Sequence, residues 1–83
     1  MSVVTQASTA PQVGESYVLK ENGCLSGITE GGSRKCIYRT ASVTDVGLCV
    51  EIRSGKVYLK FKNEGFIVWV GIDVFKREMA LLQ

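Results

Sequence analysis

The sequence predicts a mainly all-β fold: a small barrel of about five antiparallel strands with a short helical turn near the C-terminus. Three observations carry that expectation. Short β-forming segments alternate with glycine-bearing turns. Two alternating apolar segments meet at Ser54-Gly55, the spacing of a tight hairpin. The 83 residues leave room for one core and no second domain. A domain of this size buries roughly 60% of the surface its unfolded chain exposes. Contact with a partner, or with a second copy in a homo-oligomer, would therefore add usefully to its stability.

Taken in order, residues 1–12 (MSVVTQASTAPQ) hold no charged side chain and no apolar periodicity, and read as a flexible arm. The alternative is an edge strand through Val3 and Val4 that orders on a partner. Residues 13–83 form the barrel domain. Val13-Gly14-Glu15 makes a turn and Ser16 to Lys20 a first strand. From Glu21 to Ser33 the chain carries Gly23, Gly27, Gly31 and Gly32 with Leu25 and Ile28 as its sizeable apolar residues, which predicts a long loop or irregular hairpin, the softest part of the body. Lys35 to Val43 is rich in β-formers, but Arg39 interrupts the alternation, as at a bulge or an exposed edge.

The Ser54-Gly55 turn sets Arg53 opposite Lys56, Ile52 opposite Val57, Val50 opposite Leu59 and Leu48 opposite Phe61. Two independent alternations then agree, and a one-residue slip would reverse one of them. Phe66 to Val70 is a continuous apolar run, read as a central strand. The tail has two readings. Asp73 caps a helix that lines up Phe75, Met79 and Leu82, or a helical turn from Asp73 to Lys76 leads into a last strand from Glu78 to Leu82. The second is favoured.

With these elements placed, the chain resembles SH3-like small β-barrels over residues 13–82. The residues that carry the likeness are Val13 to Leu19, the hairpin through Ser54-Gly55, Trp69, and then Asp73, Phe75 and Met79 to Leu82. Such barrels, many of them small accessory proteins of phages and mobile elements, generally act as binding modules. The resemblance thus implies a protein-binding module, of the kind a phage-type accessory or inhibitor protein uses to dock on a host or viral protein. Peptide-binding SH3 domains have an acidic first loop and paired aromatics beside the groove. The long loop here has only Glu21 and Glu30, which points away from proline-rich peptides.

Composition narrows the chemistry. The formal charge is +2, from ten Lys and Arg against eight Asp and Glu, far from a dedicated nucleic-acid binder. There is no histidine, hence no usual general base, and no glycine-rich loop ending in Lys-Ser or Lys-Thr, so catalysis is not expected. Glu30 to Lys35 sets glycines beside two cations, a segment that wraps an anion or, more commonly, makes a mobile turn. Cys24, Cys36 and Cys49 are 12 and 13 residues apart, which fits neither a paired disulfide framework nor a metal knuckle, so reduced structural or incidental thiols are expected, with no metal and no cofactor. No apolar stretch suits a signal peptide or a membrane span, which predicts no membrane partner and a cytoplasmic protein, in the host cytoplasm if viral.

The candidate working face lies on the second arm of the hairpin. If Val57, Leu59 and Phe61 point inward, then Lys56, Tyr58, Lys60 and Lys62 share the outward side with Arg53 across from Lys56, and Glu51 stands opposite Tyr58. Trp69 completes the candidate set. A three-residue loop Asn63-Glu64-Gly65 sets it against Leu59 in the core, whereas a two-residue loop sets it opposite Lys60 on the outer face. Gly65 suits the former, so a buried Trp69 is favoured. In that register Phe66, Val68 and Val70 need cover from another element. The candidate binding residues are therefore Arg53, Lys56, Tyr58, Lys60, Lys62 and Trp69. The first function is protein docking, which rests on the resemblance, the lack of catalytic equipment and the surplus of strand hydrophobics; the alternative is single-stranded nucleic-acid binding through Arg53, Lys56, Tyr58, Lys60 and Lys62, and the plain reading of the same stripe is a solvated face.

Overall fold

The computed structural model describes residues 10–61 and 65–82. Within them the chain forms β1 (Ser16–Leu19), β2 (Gly23–Thr29), β3 (Arg34–Arg39), β4 (Gly47–Arg53), β5 (Lys56–Phe61), β6 (Ile67–Gly71), α1 (Ile72–Glu78) and β7 (Met79–Leu81). All pairings are antiparallel, in one sheet of order β3-β2-β6-β5-β4-β1-β7. Ile37 of β3 belongs to the same buried cluster as Tyr17 of β1, although three other strands and β2 separate them in the sheet. The sheet is thus curled into a half-barrel around one core. The expected all-β class holds, with seven strands in place of about five.

The strand that the sequence reading misses, β2, comes from the glycine-bearing segment after β1. Gly23–Thr29 is a full strand, not a loop, because Leu25 and Gly27 face inward while Cys24, Ser26 and Ile28 face outward. Gly27 is buried, and a side chain there would run into Val68 of β6. The missing side chain is what lets β2 lie against β6. β3 is an edge strand, as the interruption at Arg39 suggests. Its exposed backbone is partly occupied: the Tyr38 N–H donates to Asp45 Oδ2 at 2.9 Å, and the Asp45 N–H donates to the Tyr38 carbonyl at 2.9 Å.

The same hairpin corrects the cysteine expectation. Cys24 pairs in register with Tyr38 and Cys36 with Ser26, which sets the two cysteines diagonally on one face with Cα atoms 5.5 Å apart. They form a disulfide. An odd cysteine count obscures such a pair, because the third member, Cys49, is fully buried and takes no part. Burial pushes the Cys49 thiol up from its ordinary value of 9.0, against a smaller opposing effect of a backbone hydrogen bond with Glu51.

The Ser54-Gly55 hairpin forms as expected, with φ of 54° and 74° at its two turn residues. Arg53 pairs with Lys56 and Ile52 with Val57. Beyond that point the register shifts between Cys49 and Glu51, leaving Val50 as the extra residue of a bulge. Cys49, not Val50, therefore opposes Leu59, and Gly47, not Leu48, opposes Phe61. The exchange has a steric reason. A Cβ on Gly47 would stand 2.9 Å from Cε1 of the Phe61 ring and 3.1 Å from the Leu59 Cβ, so glycine is the residue that leaves space for both.

The β5–β6 register also differs from either expected form. Leu59 pairs with Val68, Tyr58 with Trp69 and Lys60 with Ile67, so four residues separate Phe61 from Phe66. Val68 and Val70 point into the core, and Trp69 is half-buried on the outer face; the buried Trp69 is overturned. The loop is one residue longer than the favoured form, and Gly65 still takes the left-handed conformation, at φ 70°. Its N–H donates to the Phe61 carbonyl at 3.1 Å.

The tail follows the favoured reading, a short helix into a last strand. Gly71 stands at the helix N-cap and Asp73 in the first turn, so Asp73 is not the cap. Phe75 is the helical residue buried in the core, where its ring meets Tyr17 edge-on with centroids 4.7 Å apart. The buried Tyr17 hydroxyl accepts the Gln12 N–H at 2.9 Å, and Pro11 beside it is buried. The end of the expected arm is thus fastened to the barrel, while residues 1–9, with Val3 and Val4, lie outside the described residues.

Two outcomes test this packing. Gly47→Ala forces Phe61 or β4 to shift and costs about 1–3 kcal/mol, read as a lower melting temperature by circular dichroism. In the native protein Cys49 resists alkylation at neutral pH, since its raised pKa keeps the thiol protonated inside the core; full labelling appears only when denaturant opens the barrel, as intact mass will show.

Candidate binding surface

The bulge in β4 and the four-residue β5–β6 connection together decide what the sheet shows outside. Pairing register runs one row straight across five strands: Glu51 on β4, Tyr58 on β5, Trp69 on β6, Ile28 on β2 and Arg34 on β3. Arg53 and Lys56 pair in the row on one side of it, and Leu48, Lys60 and Ile67 in the row on the other. The outer face is therefore an aromatic pair set between cations and branched apolar residues.

Each aromatic carries a cation. Lys56 Nζ lies 4.4 Å from the centre of the Trp69 ring system. Its cross-strand partner is Gly71, which offers no side chain to hold the lysine upright. Arg53 Cζ lies 5.3 Å from the Tyr58 ring centre, and its Nη2 donates to the Tyr58 hydroxyl at 3.3 Å. Such contacts contribute little while exposed to water and more once a partner removes it. Arg53 Nε also meets Glu51 Oε2 at 3.4 Å, with both side chains largely exposed, so this ion pair contributes little by itself. The Tyr58 hydroxyl, and then the Glu51 carboxylate, raise the Arg53 pKa further, and the guanidinium stays charged at every relevant pH.

Arg53, Lys56, Tyr58 and Trp69 thus come together as one unit. Lys60 is exposed on the same face, one row away between Leu48 and Ile67. Lys62 lies outside the described residues. Ile28 and Arg34 join the surface although the sequence reading leaves them out, since it takes β2 for a loop. Outward Cys24, Ser26 and Ile28 against inward Leu25 and Gly27 is the signal that reveals them, and it is faint because Gly27 contributes no side chain.

On the side of the sheet near β1, Leu19, Glu21, Asn22, Gly23, Cys24, Leu25 and Glu78 line a depression of about 150 Å³, below the usual span of small-molecule sites. Among the described residues no three His, Cys, Asp or Glu side chains converge as metal ligands. The glycine-bearing segment before Arg34 is the β2–β3 turn, in which the Gly32 N–H donates to the Thr29 carbonyl and the Ser33 N–H to Thr29 Oγ1. Those donors serve the turn itself. Among the described residues, no helix is long and apolar enough to cross a membrane.

Compared with models of protein families, with curated proteins and with solved structures, the chain matches none of them.

Proposed function

We propose that the chain is a non-enzymatic binding module that docks on another protein through the outer face of β4, β5, β6 and β2. The observation that supports this best is the half-buried pair Tyr58 and Trp69, in register with each other and each lying beneath a cation of the neighbouring strand. Trp, Tyr and Arg are the residues whose burial contributes most at protein interfaces, and neighbours such as Ile28 and Ile67 help to exclude water around them. Glu51 at one end of the aromatic row suits a mixed protein surface better than a string of phosphates. The run β7-β1-β4-β5-β6, with α1 between the last two strands in sequence, supports the likeness to small SH3-like barrels. With that likeness goes the phage-type accessory or inhibitor role. The partner is then a host or viral protein, and a second copy of the chain is a variant of the same reading. We assign the protein to the cytoplasm, where exposed disulfides form under redox control rather than as permanent staples.

Single-stranded nucleic acid is the second reading, favoured by four outward cations, Arg34, Arg53, Lys56 and Lys60, around the two rings. Against it, the Lys56 ammonium already covers a Trp69 face on which a base would stack.

Sedimentation of the isolated chain and of its mixture with a cross-linked candidate partner separates these readings. Trp69→Ala is expected to weaken partner capture by about thirtyfold or more, the effect of removing one central anchor, while the melting temperature holds near that of the parent. Capture that survives both Trp69→Ala and Tyr58→Ala removes the docking surface from consideration. Titration with a single-stranded oligonucleotide is expected to leave Trp69 fluorescence unchanged. Quenching that is reversed by added salt, with a log–log slope of about −0.7 per phosphate contact, promotes the second reading instead.

A further inference from the structure

We propose that the Cys24–Cys36 disulfide is a redox latch that holds β2 against the aromatic surface; the proposal rests on the docking reading and adds a mode of control to it. Ile28 of β2 is the direct neighbour of Trp69 in the outer row, so the order of β2 decides how that edge of the surface is built. β2 pairs with β3 along six register positions, but little ties it to β6. Its ladder with β6 consists of two register pairs, Ile28 with Trp69 and Thr29 with Val68. Its own sequence, GCLSGIT, includes two glycines, residues that lose more freedom on ordering than any other. Leu25 is only partly buried against the core. The turn end of the hairpin is secured by Thr29 and Ser33, whose backbones bond at 2.8 Å, and the disulfide secures the opposite, open end.

Access follows from position. Cys24 is exposed and Cys36 half-buried, so a dithiol reductant attacks the Cys24 sulfur. The Cys36 sulfur leaves as a thiolate and takes up a proton. The second thiol of the reductant then displaces Cys24, giving two protein thiols and a reductant oxidised to its own disulfide, with two electrons transferred. Cys49 stays out of the exchange because it is fully buried with a protonated thiol. Reduction frees the open end of the hairpin, β2 loosens from β6, and Trp69 loses Ile28 as its flank. The ladders that join β7, β1, β4, β5 and β6 keep their pairing.

The full chain, purified without reductant, is followed by hydrogen exchange and by acrylamide quenching of Trp69, before and after dithiothreitol and after reoxidation. One free thiol per denatured chain is expected before reduction and three after it. Exchange in β2 is expected to accelerate by about thirtyfold or more on reduction, the lower end of what one bridge contributes to order, with stronger quenching of Trp69 and recovery on reoxidation. The Cys24→Ser/Cys36→Ser double variant should match the reduced protein and ignore the reductant. Three free thiols at the outset, or β2 exchange and Trp69 quenching unaltered by reduction, overturn the latch. So does loss of the whole β signal in far-ultraviolet circular dichroism, which would make the bridge a staple of the entire barrel. None of these readouts needs a partner, so failure here is separate from failure of the docking reading, which Trp69→Ala decides.

Discussion

Leu59 on β5 and Val68 on β6 face each other across the ladder with neither side chain reached by solvent, and the remainder of the molecule takes its orientation from that pair. Strand side chains alternate, so fixing one inward pair fixes every position on both strands. Val57, Phe61 and Val70 follow it inside, while Tyr58, Lys60 and Trp69 are turned out. A shift of one residue would bury the indole and expose two valines. The described residues form a single curled sheet and one short helix with which to fill the interior, and Phe75 is the fully buried residue the helix supplies. Core and candidate surface are thus two sides of one register.

That register explains which parts of the fold are legible in the residues. The Ser54-Gly55 turn is readable because Gly55 suits a positive φ position of a two-residue turn and the adjacent pairs alternate in phase. Past Ile52 the phase changes at Val50, and Leu48, Val50 and Ile52 still spell a regular strand, so nothing in the pattern announces the bulge. The clue lies at Gly47, whose lack of a side chain fits the Phe61 ring, and ring placement is a property of packing rather than of local sequence. The last strand and the helix before it are readable because Phe75 and Met79 each need the core and a continuous helix would leave the C-terminal sheet position unfilled.

The candidate surface is legible to the same degree. Arg53, Lys56 and Tyr58 follow from the hairpin alone, as does Glu51 opposite Tyr58. Trp69 depends on the length of a connection, where glycine marks the left-handed position but does not count the residues before it. Ile28 and Arg34 depend on a strand with little intrinsic preference to be one. β2 owes its place to long-range contacts: a glycine that fits against Val68, a neighbouring strand on each side and a covalent bridge to β3. Propensity is a poor guide to a strand that tertiary structure imposes.

The interaction between Asp45 and the backbone of Tyr38 bears on how such a protein survives at high concentration. An open sheet ends in strands whose peptide groups invite another chain to pair, and repeated pairing of that kind is the route to fibres. Asp45 takes both backbone groups of Tyr38, the amide through its carboxylate and the carbonyl through its own N–H. Arg34, Lys35 and Arg39 set like charges along the same border. At the other border β7 is three residues long and presents little to copy. The half-barrel thus leaves its broad face open while both rims are poor templates for another chain, one of them because a single carboxylate and its own amide occupy the backbone groups of Tyr38.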